Sequence, residues 1–471
     1  MRNFLTIILS LLGFFAISQN KQILYGFDDV PQSLMLNPGM KVTQKKHYGI
    51  PFLSQIHFNG GSSGVSVYDI FKDGNDNIND RITKKIFEMK NTDFFTATQQ
   101  LEIINFGWRA KNEIYFSGGI YQEFDFITYF PRDLAILAWE GNRDYLNYEF
   151  DLGEISTTGD FMTVYHFGVN KQITDKLTVG ARIKLYSSMF SYRSVDNTGT
   201  FVTTLGDENA ENIYEHTVRN ADVTVETSGY ASLRELDGSA QVTSEILGRA
   251  FFGGNLGVGV DLGFTYDINE AFTFSASAQD VGAIFHSKDV ESYRAHGDYT
   301  LNGINLVFPP LNQGESTFPY YNNLEDEIER EIPIDTLHKS YTQFRPVKFN
   351  AALSFGFGRF NSSGACDCLN MGGGTLHKQN VGLQFYSIFR PKGPQMAGTF
   401  FYHRRLTEYL SAKATYTVDS YSFSNVGLGV SADIGKFNVY IAADNLIKYS
   451  NLAKAKSVSL QLGFNIIIDE E

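Results

Sequence analysis

Proline and cysteine are scarce in this chain of 471 residues, with 11 and 2 copies respectively. Two cysteines cannot form a disulfide framework over this length, so stability must come from packing and sheet closure. Charged residues are also few, at 19%, and the net charge is −13. This balance excludes a nucleic-acid partner, because neutralising phosphates requires an excess of lysine and arginine. After residue 18 there is no apolar run of about 18 residues, which excludes a bundle of membrane helices.

Aromatic residues and glycine are abundant instead, with 40 Phe, 26 Tyr and 43 Gly. This composition favours strands and tight turns over helices and predicts an all-β protein. The H-E-x-x-H, Walker A and G-x-G-x-x-G patterns are absent from the sequence, so no cofactor and no catalytic metal are predicted.

The N-terminus carries an export signal. An apolar run over residues 4–17 follows Arg2, and Ala16 and Ser18 are small residues at the positions that signal peptidase requires. We predict a signal peptide over residues 1–18, cleaved after Ser18. The alternative is a buried or membrane-anchoring helix, for which the run is short. No cysteine follows the run, so a lipid anchor is not expected.

Several segments of about ten residues alternate between apolar and polar side chains. One example has Val179, Ala181, Ile183 and Leu185 on one face and Gly180, Arg182, Lys184 and Tyr186 on the other. This period predicts strands of an outer-membrane barrel with an apolar face toward lipid, although a soluble β-sandwich also alternates. The connections favour the barrel, because short turns alternate with long polar loops near residues 71–96, 128–159, 194–249 and 286–345.

We count the strands back from the C-terminal one and place the short turns in the periplasm. This count predicts a transmembrane antiparallel barrel of about 14 strands with large extracellular loops. We predict a barrel over residues 54–471, with its first strand at 54–70, its last near 455–467 and both termini in the periplasm. Residues 19–53 then form a periplasmic segment or a plug in the lumen. Three prolines argue against a long regular element there: Pro31, Pro38 and Pro51.

Charged residues on the predicted inner face are candidate lumen-lining groups: Arg182, Lys184, Asp261, His403 and Arg405. They either line a path through the barrel or form interior ion pairs, and the sequence does not separate these interpretations. A 14-stranded lumen is wide enough to need filling by side chains or a plug.

Three other motifs have structural interpretations. Residues 60–64 fit the G-x-S-x-G pattern of hydrolases, but the following residues 65–68 are expected to continue as a strand rather than a helix. The pair Cys366 and Cys368 is expected to form a vicinal disulfide or remain as free thiols, because structural zinc needs four ligands. The acidic run at residues 325–331 is expected to be a solvated face.

With these features in place, the chain resembles Bacteroidota outer-membrane barrels of the FadL-like and type IX secretion PorV/PorP-like group. The matching pieces are Ser18-Gln19, Leu36-Asn37-Pro38-Gly39, residues 277–282 and residues 443–446. The resemblance implies an N-terminal segment entering the lumen, with Asn37, Pro38 and Gly39 as candidate plug residues. Two features depart from the group: Gly39 replaces the usual alanine, and the chain ends on acidic residues rather than an aromatic one.

The leading hypothesis is a non-enzymatic integral outer-membrane barrel that acts through its loops as a surface or secretion-associated scaffold. Its expected partners are outer-membrane lipid, lipopolysaccharide and secretion-machinery or cell-surface proteins. The alternative, implied by the FadL-like resemblance, is a passive channel for hydrophobic small molecules. An outer-membrane hydrolase is the third and weakest hypothesis.

Overall fold

The computed structural model describes residues 22–468 except 75, 111–112, 207–212, 237, 302–333 and 360–376. The predicted signal peptide, the cysteine pair and the acidic run lie outside the described residues. The strands, in chain order, are β1 Lys46–Gly49, β2 Ile56–Ser62, β3 Phe94–Arg109, β4 Ile114–Tyr129, β5 Glu149–Asp151, β6 Thr157–Thr174, β7 Leu177–Leu205, β8 Tyr214–Ser228, β9 Asn255–Asp267, β10 Phe272–His286, β11 Ser292–Leu301, β12 Ile334–Leu337, β13 Tyr341–Phe344, β14 Lys348–Arg359, β15 His377–Arg390, β16 Gly393–Arg405, β17 Leu410–Asp419, β18 Asn425–Ile434, β19 Phe437–Ala443 and β20 Ser457–Ile468.

These strands form a closed antiparallel barrel of 14 wall strands, as predicted. The wall runs from β1 and β2, which together make one interrupted strand, through β3, β4, β6, β7, β9, β10 and β14 to β20. Closure comes from β20, which pairs with both β1 and β2. No helix among the described residues is long and apolar enough to cross a bilayer.

The outer face of the wall is apolar, and this places the barrel in a membrane. On β7, Ile183 and Leu185 are 60% and 47% exposed, whereas the intervening Lys184 is 4% exposed. The predicted alternation is therefore confirmed with its apolar side outward. A soluble sandwich would bury such a face, whereas an outer-membrane barrel presents it to lipid. The same outward exposure recurs at Val258, Leu262, Leu353, Leu383 and Phe400.

Aromatic side chains gather near the end of the barrel that carries the short turns. Trp108 stacks on Phe106 and Phe116, and Phe116 stacks on Phe167, on neighbouring strands of the outer face. Aromatic rings prefer the boundary between lipid tails and headgroups, where barrels carry girdles of this kind. This group therefore marks one membrane interface.

The predicted first strand at 54–70 is wrong at both ends. The wall begins at Lys46, and an irregular stretch at residues 50–55, which contains Pro51, separates β1 from β2 while keeping backbone hydrogen bonds to both neighbouring strands. Phe52 adopts φ +61° in this outward bulge. The strand ends at Ser62, and residues 67–71 form a short helix, because the Ser66 hydroxyl and the Asp69 carboxylate make a capping box.

The long connections carry ordered structure beyond the membrane. Helices α1 Val67–Phe71, α2 Ile78–Glu88 and α3 Arg132–Glu140 lie near the first strands. Trp139 donates its indole N–H to Thr83 at 2.7 Å and joins two of these helices. Strand β7 has 29 residues, a length of roughly 95 Å at the usual rise. Its distal part continues through β8, β11 and β12 as an outer sheet.

Candidate functional site

Residues 22–40, hereafter the N-terminal segment, lie inside the barrel. The segment contains 3-10 turns at Gln22–Leu24 and Pro31–Met35, and it contributes no strand to the wall. Nearly all of its side chains are buried. Inward-facing side chains from strands all around the lumen hold it by hydrogen bonds: Asn170, Arg182, Ser277, Thr399, Lys413 and Asn465.

The candidate plug residues Asn37, Pro38 and Gly39 rest directly on the wall. The Asn37 side-chain amide donates to the carbonyl of Phe264 at 3.3 Å. A Cβ atom on Gly180 would lie 1.9 Å from the Pro38 carbonyl oxygen, so only glycine permits this approach. These contacts lie near the end of the barrel that carries the short turns.

A buried ion pair anchors the middle of the N-terminal segment. Arg182 on β7 donates from Nε to Asp261 Oδ2 on β9 at 2.7 Å. Its Nη2 also donates to the Met35 carbonyl at 2.7 Å, so one guanidinium joins two wall strands to the segment. Arg182 and Asp261 are 2% and 0% exposed. Charged side chains are tolerated at this depth of burial only when they are paired and hydrogen-bonded.

Asp261 begins a chain of paired charges along the inner wall. Lys184 Nζ lies 2.9 Å from Asp261 and also bonds to Asp280, and Lys348 Nζ lies 2.8 Å from Asp280. Asp280 reaches this position because β10 has a bulge there, with φ +58° at Asp280. The bulge turns two successive side chains inward, Gln279 and Asp280.

Other ion pairs cross the lumen and link opposite walls. Five strands separate β4 from β15 on the shorter way around the barrel, so these strands face each other. Across the lumen, Arg390 on β15 makes a bidentate pair with Asp125 on β4, with N–O distances of 2.6 and 2.8 Å. Arg345, just before β14, similarly pairs with Glu123 on β4. The lumen is therefore pinched at this level.

A cavity of about 100 Å³ lies next to the N-terminal segment. We call it the outer cavity. Gln22, Met35 and Leu36 of the segment line one side of it. Residues of the wall and of the turn after β17 form the other sides, among them Glu123, Asp125 and Arg390 of the cross-lumen pairs. The lining mixes apolar surface with paired charges and uncharged polar groups. A space of this volume suits a molecule of about the size of one ring.

All five predicted lumen-lining residues point inward. Arg182, Lys184 and Asp261 form the chain of pairs described above. His403 and Arg405 on β16 both contact Asp29 of the N-terminal segment, at 2.9 Å each. None of the five lines an open passage among the described residues, because each contacts another charge or the segment.

Sequence reasoning missed the cross-lumen pairs. Glu123 and Asp125 alternate with Phe124 and Phe126 along β4, so the same alternation could have found them. Asp280 carries no such signal, because regular alternation would have pointed it toward lipid. The partner of Asp125 is 265 residues away in sequence, and only the closed barrel brings Arg390 to it.

The hydrolase motif folds into a turn. The Ser62 hydroxyl accepts a hydrogen bond from the Val65 N–H at 3.3 Å, which fixes the turn that leads to Ser66 and α1. A helix does follow this serine, contrary to our expectation, but it is only five residues long. In the described part of the chain, no group of three or more His, Cys, Asp or Glu side chains is arranged to hold a metal ion.

Placing a methyl group at Gly180 is expected to displace the N-terminal segment without unfolding the wall. In Gly180→Ala the new Cβ meets the Pro38 carbonyl, a backbone group that cannot rotate away. Amide hydrogen exchange of residues 34–40 should then rise at least about tenfold. Gly398→Ala is the control, since that Cβ points into open space. Unchanged exchange in Gly180→Ala would show that the segment does not depend on this contact.

A family model described as "Family of unknown function (DUF5723)" matches residues 38–444. No curated protein matches the chain in sequence.

The solved structures that it resembles include three barrels. The toluene transporter TbuX of Ralstonia pickettii is 12% identical, with a TM-score of 0.42 and coverage of 93% of this chain and 94% of that one. The toluene transporter TodX of Pseudomonas putida is 10% identical, with a TM-score of 0.36 and coverage of 93% and 92%. A FadL homologue of Pseudomonas aeruginosa is 8% identical, with a TM-score of 0.39 and coverage of 91% of both chains.

Proposed function

Since the chain belongs to the DUF5723 family, whose function is unknown, we propose on geometric grounds that it is a passive outer-membrane channel for small molecules. The N-terminal segment closes this channel at rest. One observation carries the proposal: the segment fills the lumen but contributes no strand to the wall. It can therefore shift without breaking the ladder that holds the barrel together. A scaffold acting only through its loops has no need of such a removable element.

The outer cavity supports the same proposal. It is bounded by the segment on one side, and Glu123, Asp125 and Arg390 of the cross-lumen pairs line it as well. Met35 and Leu36 give it an apolar side, which suits the hydrophobic part of a solute. Passage through the barrel then requires both the segment and the cross-lumen pairs to give way.

Locking the segment to the wall tests the channel. Gln22 Oε1 and Thr399 Oγ1 are 3.0 Å apart, so Gln22→Cys and Thr399→Cys can be joined by a short reducible crosslinker. Cys366 and Cys368 are replaced by serine in this variant. We expect liposomes carrying it to swell in isosmotic phenyl β-glucoside when the linker is reduced. Swelling should fall to the protein-free rate when the linker is intact.

Two controls make that experiment decisive. The same crosslinker on either single-cysteine variant should leave swelling unchanged. Altered mobility of unboiled samples on gels confirms that each variant is a folded barrel. Swelling at the same rate with and without the crosslink, or swelling that never exceeds the protein-free rate, would overturn the channel proposal.

A scaffold role is the second candidate, and the outer sheet favours it. Strands β8, β11 and β12 extend β7 well beyond the apolar belt and offer a structured surface to a secretion or cell-surface partner. Deleting residues 286–345 tests it, provided that membrane insertion is retained. Loss of a captured partner, with no solute flux either before or after the deletion, would favour the scaffold over the channel.

A further inference from the structure

Most charged side chains around the outer cavity are paired with one another. Asp125 is paired with Arg390, Glu123 with Arg345, and Asp280 with both Lys184 and Lys348. The remaining carboxylate, Asp419, accepts backbone N–H groups of Tyr421 and Ser422 at 2.7 and 2.9 Å. Every charged side chain of the described lining is therefore already hydrogen-bonded within the protein.

This pairing disfavours charged ligands. A carboxylate or an ammonium group entering the cavity would lose its hydration and meet charges whose partners are already within hydrogen-bond distance. It would bind only by breaking one of these pairs and leaving another buried charge alone, which is strongly unfavourable. An uncharged ligand avoids both costs.

Uncharged polar atoms are, in contrast, available in the lining. Asn59 Oδ1 and Tyr386 Oη have no hydrogen-bond partner within the described structure, and their residues are only 9% and 7% exposed. Gln395 Nε2 also has none. These atoms offer an acceptor, a hydroxyl and a donor, which match the hydroxyl groups of a neutral molecule.

Apolar surface completes the site. Met35, Leu36 and Ile388 line the cavity together with the ring of Tyr121. We infer that the outer cavity binds a small uncharged molecule with an aromatic or aliphatic face and a hydroxyl group, of which benzyl alcohol is an example. The inference deepens the proposed function, on which it rests, by naming the class of solute that the channel accepts.

Binding of three probes of similar size and different charge tests the inference. The probes are benzyl alcohol, which is neutral, benzoate, which is anionic, and benzylammonium, which is cationic at pH 7. Calorimetry on the detergent-folded barrel should give a Kd for the neutral probe at least about tenfold below the other two. Equal or tighter binding of a charged probe, or no binding of any probe, would overturn the inference.

Two variants locate the binding site. Tyr386→Phe and Asn59→Leu should each weaken binding of benzyl alcohol about five- to tenfold, the usual effect of one lost hydrogen bond. Tyr266→Phe is the control, because that ring is 40% exposed on the outer face of β9. Unchanged affinity in both cavity variants would place the bound probe elsewhere and overturn the inference.

The two proposals fail in different ways. If the lock abolishes swelling but all three probes bind alike, the channel stands and the neutral-solute inference falls. If the neutral probe binds selectively but swelling ignores the lock, the cavity is a binding site and the channel falls.

Discussion

Deleting residues 22–40 is expected to raise the conductance of the barrel in planar bilayers of KCl by about an order of magnitude or more, because a 14-stranded lumen without its filling is wide enough for hydrated ions. The wall should still close, since β20 pairs with β1 and β2 without the segment. Current recordings on the purified full chain and on the deletion variant check this. A deletion variant that inserts and stays silent would contradict the role of the segment as the main closure.

The cross-lumen pairs provide a second step in this prediction. The pair Arg390–Asp125 stands in series with the segment, so it should limit the current that the deletion allows. Adding Arg390→Gln and Asp125→Asn to the deletion removes both charges together and should raise conductance further. If the deletion variant fails to insert, Gly180→Ala with the same current recording takes its place, and Gly398→Ala remains the matched control.

The wall of this barrel was largely predictable from the sequence, because lipid imposes a strict period of two on each strand. The alternation of Ile183 and Leu185 with Lys184 is enough to orient β7. The interruption at residues 50–55 was not predicted, although Pro51 was noted as incompatible with regular structure. Likewise the helix at 67–71 depends on a local capping box at Ser66, which competes successfully with an apolar run that favours a strand.

The interior was predictable only in part. Alternation places Arg182 and Asp261 on the inner face, but it says nothing about which charges meet. Their partners depend on strand register and on the path of the N-terminal segment, and both are set by contacts between distant parts of the chain. Asp280 shows this most clearly, because its inward position exists only through a bulge in β10. The sequence therefore predicted a polar interior and could not predict that its charges are paired.

The largest loss of stability is expected from Asp261→Ala. Asp261 accepts hydrogen bonds from Arg182, and it also lies 2.9 Å from Lys184 and accepts the Asp280 N–H at 2.7 Å. Removing it leaves two buried cations short of a partner, and breaking a buried pair in this way costs about 3–5 kcal/mol of unfolding free energy. Urea denaturation of the detergent-folded barrel measures the change. The folded fraction at each urea concentration is read from the altered mobility of unboiled samples on gels.

A double variant separates the cost of an orphaned charge from the value of the pair. Arg182→Met with Asp261→Leu removes both partners and should recover much of the stability that Asp261→Ala loses, because no uncompensated guanidinium remains. Asp144→Ala is the control, since its pair with Arg143 is 73% and 79% exposed and should leave the denaturation midpoint unchanged. The double variant also removes the hydrogen bond from Arg182 to the Met35 carbonyl. The N-terminal segment should therefore exchange its amide hydrogens faster, even though the unfolding free energy of the barrel recovers. A double variant as unstable as Asp261→Ala would show that the pair itself, and not the orphaned charge, supplies the stability.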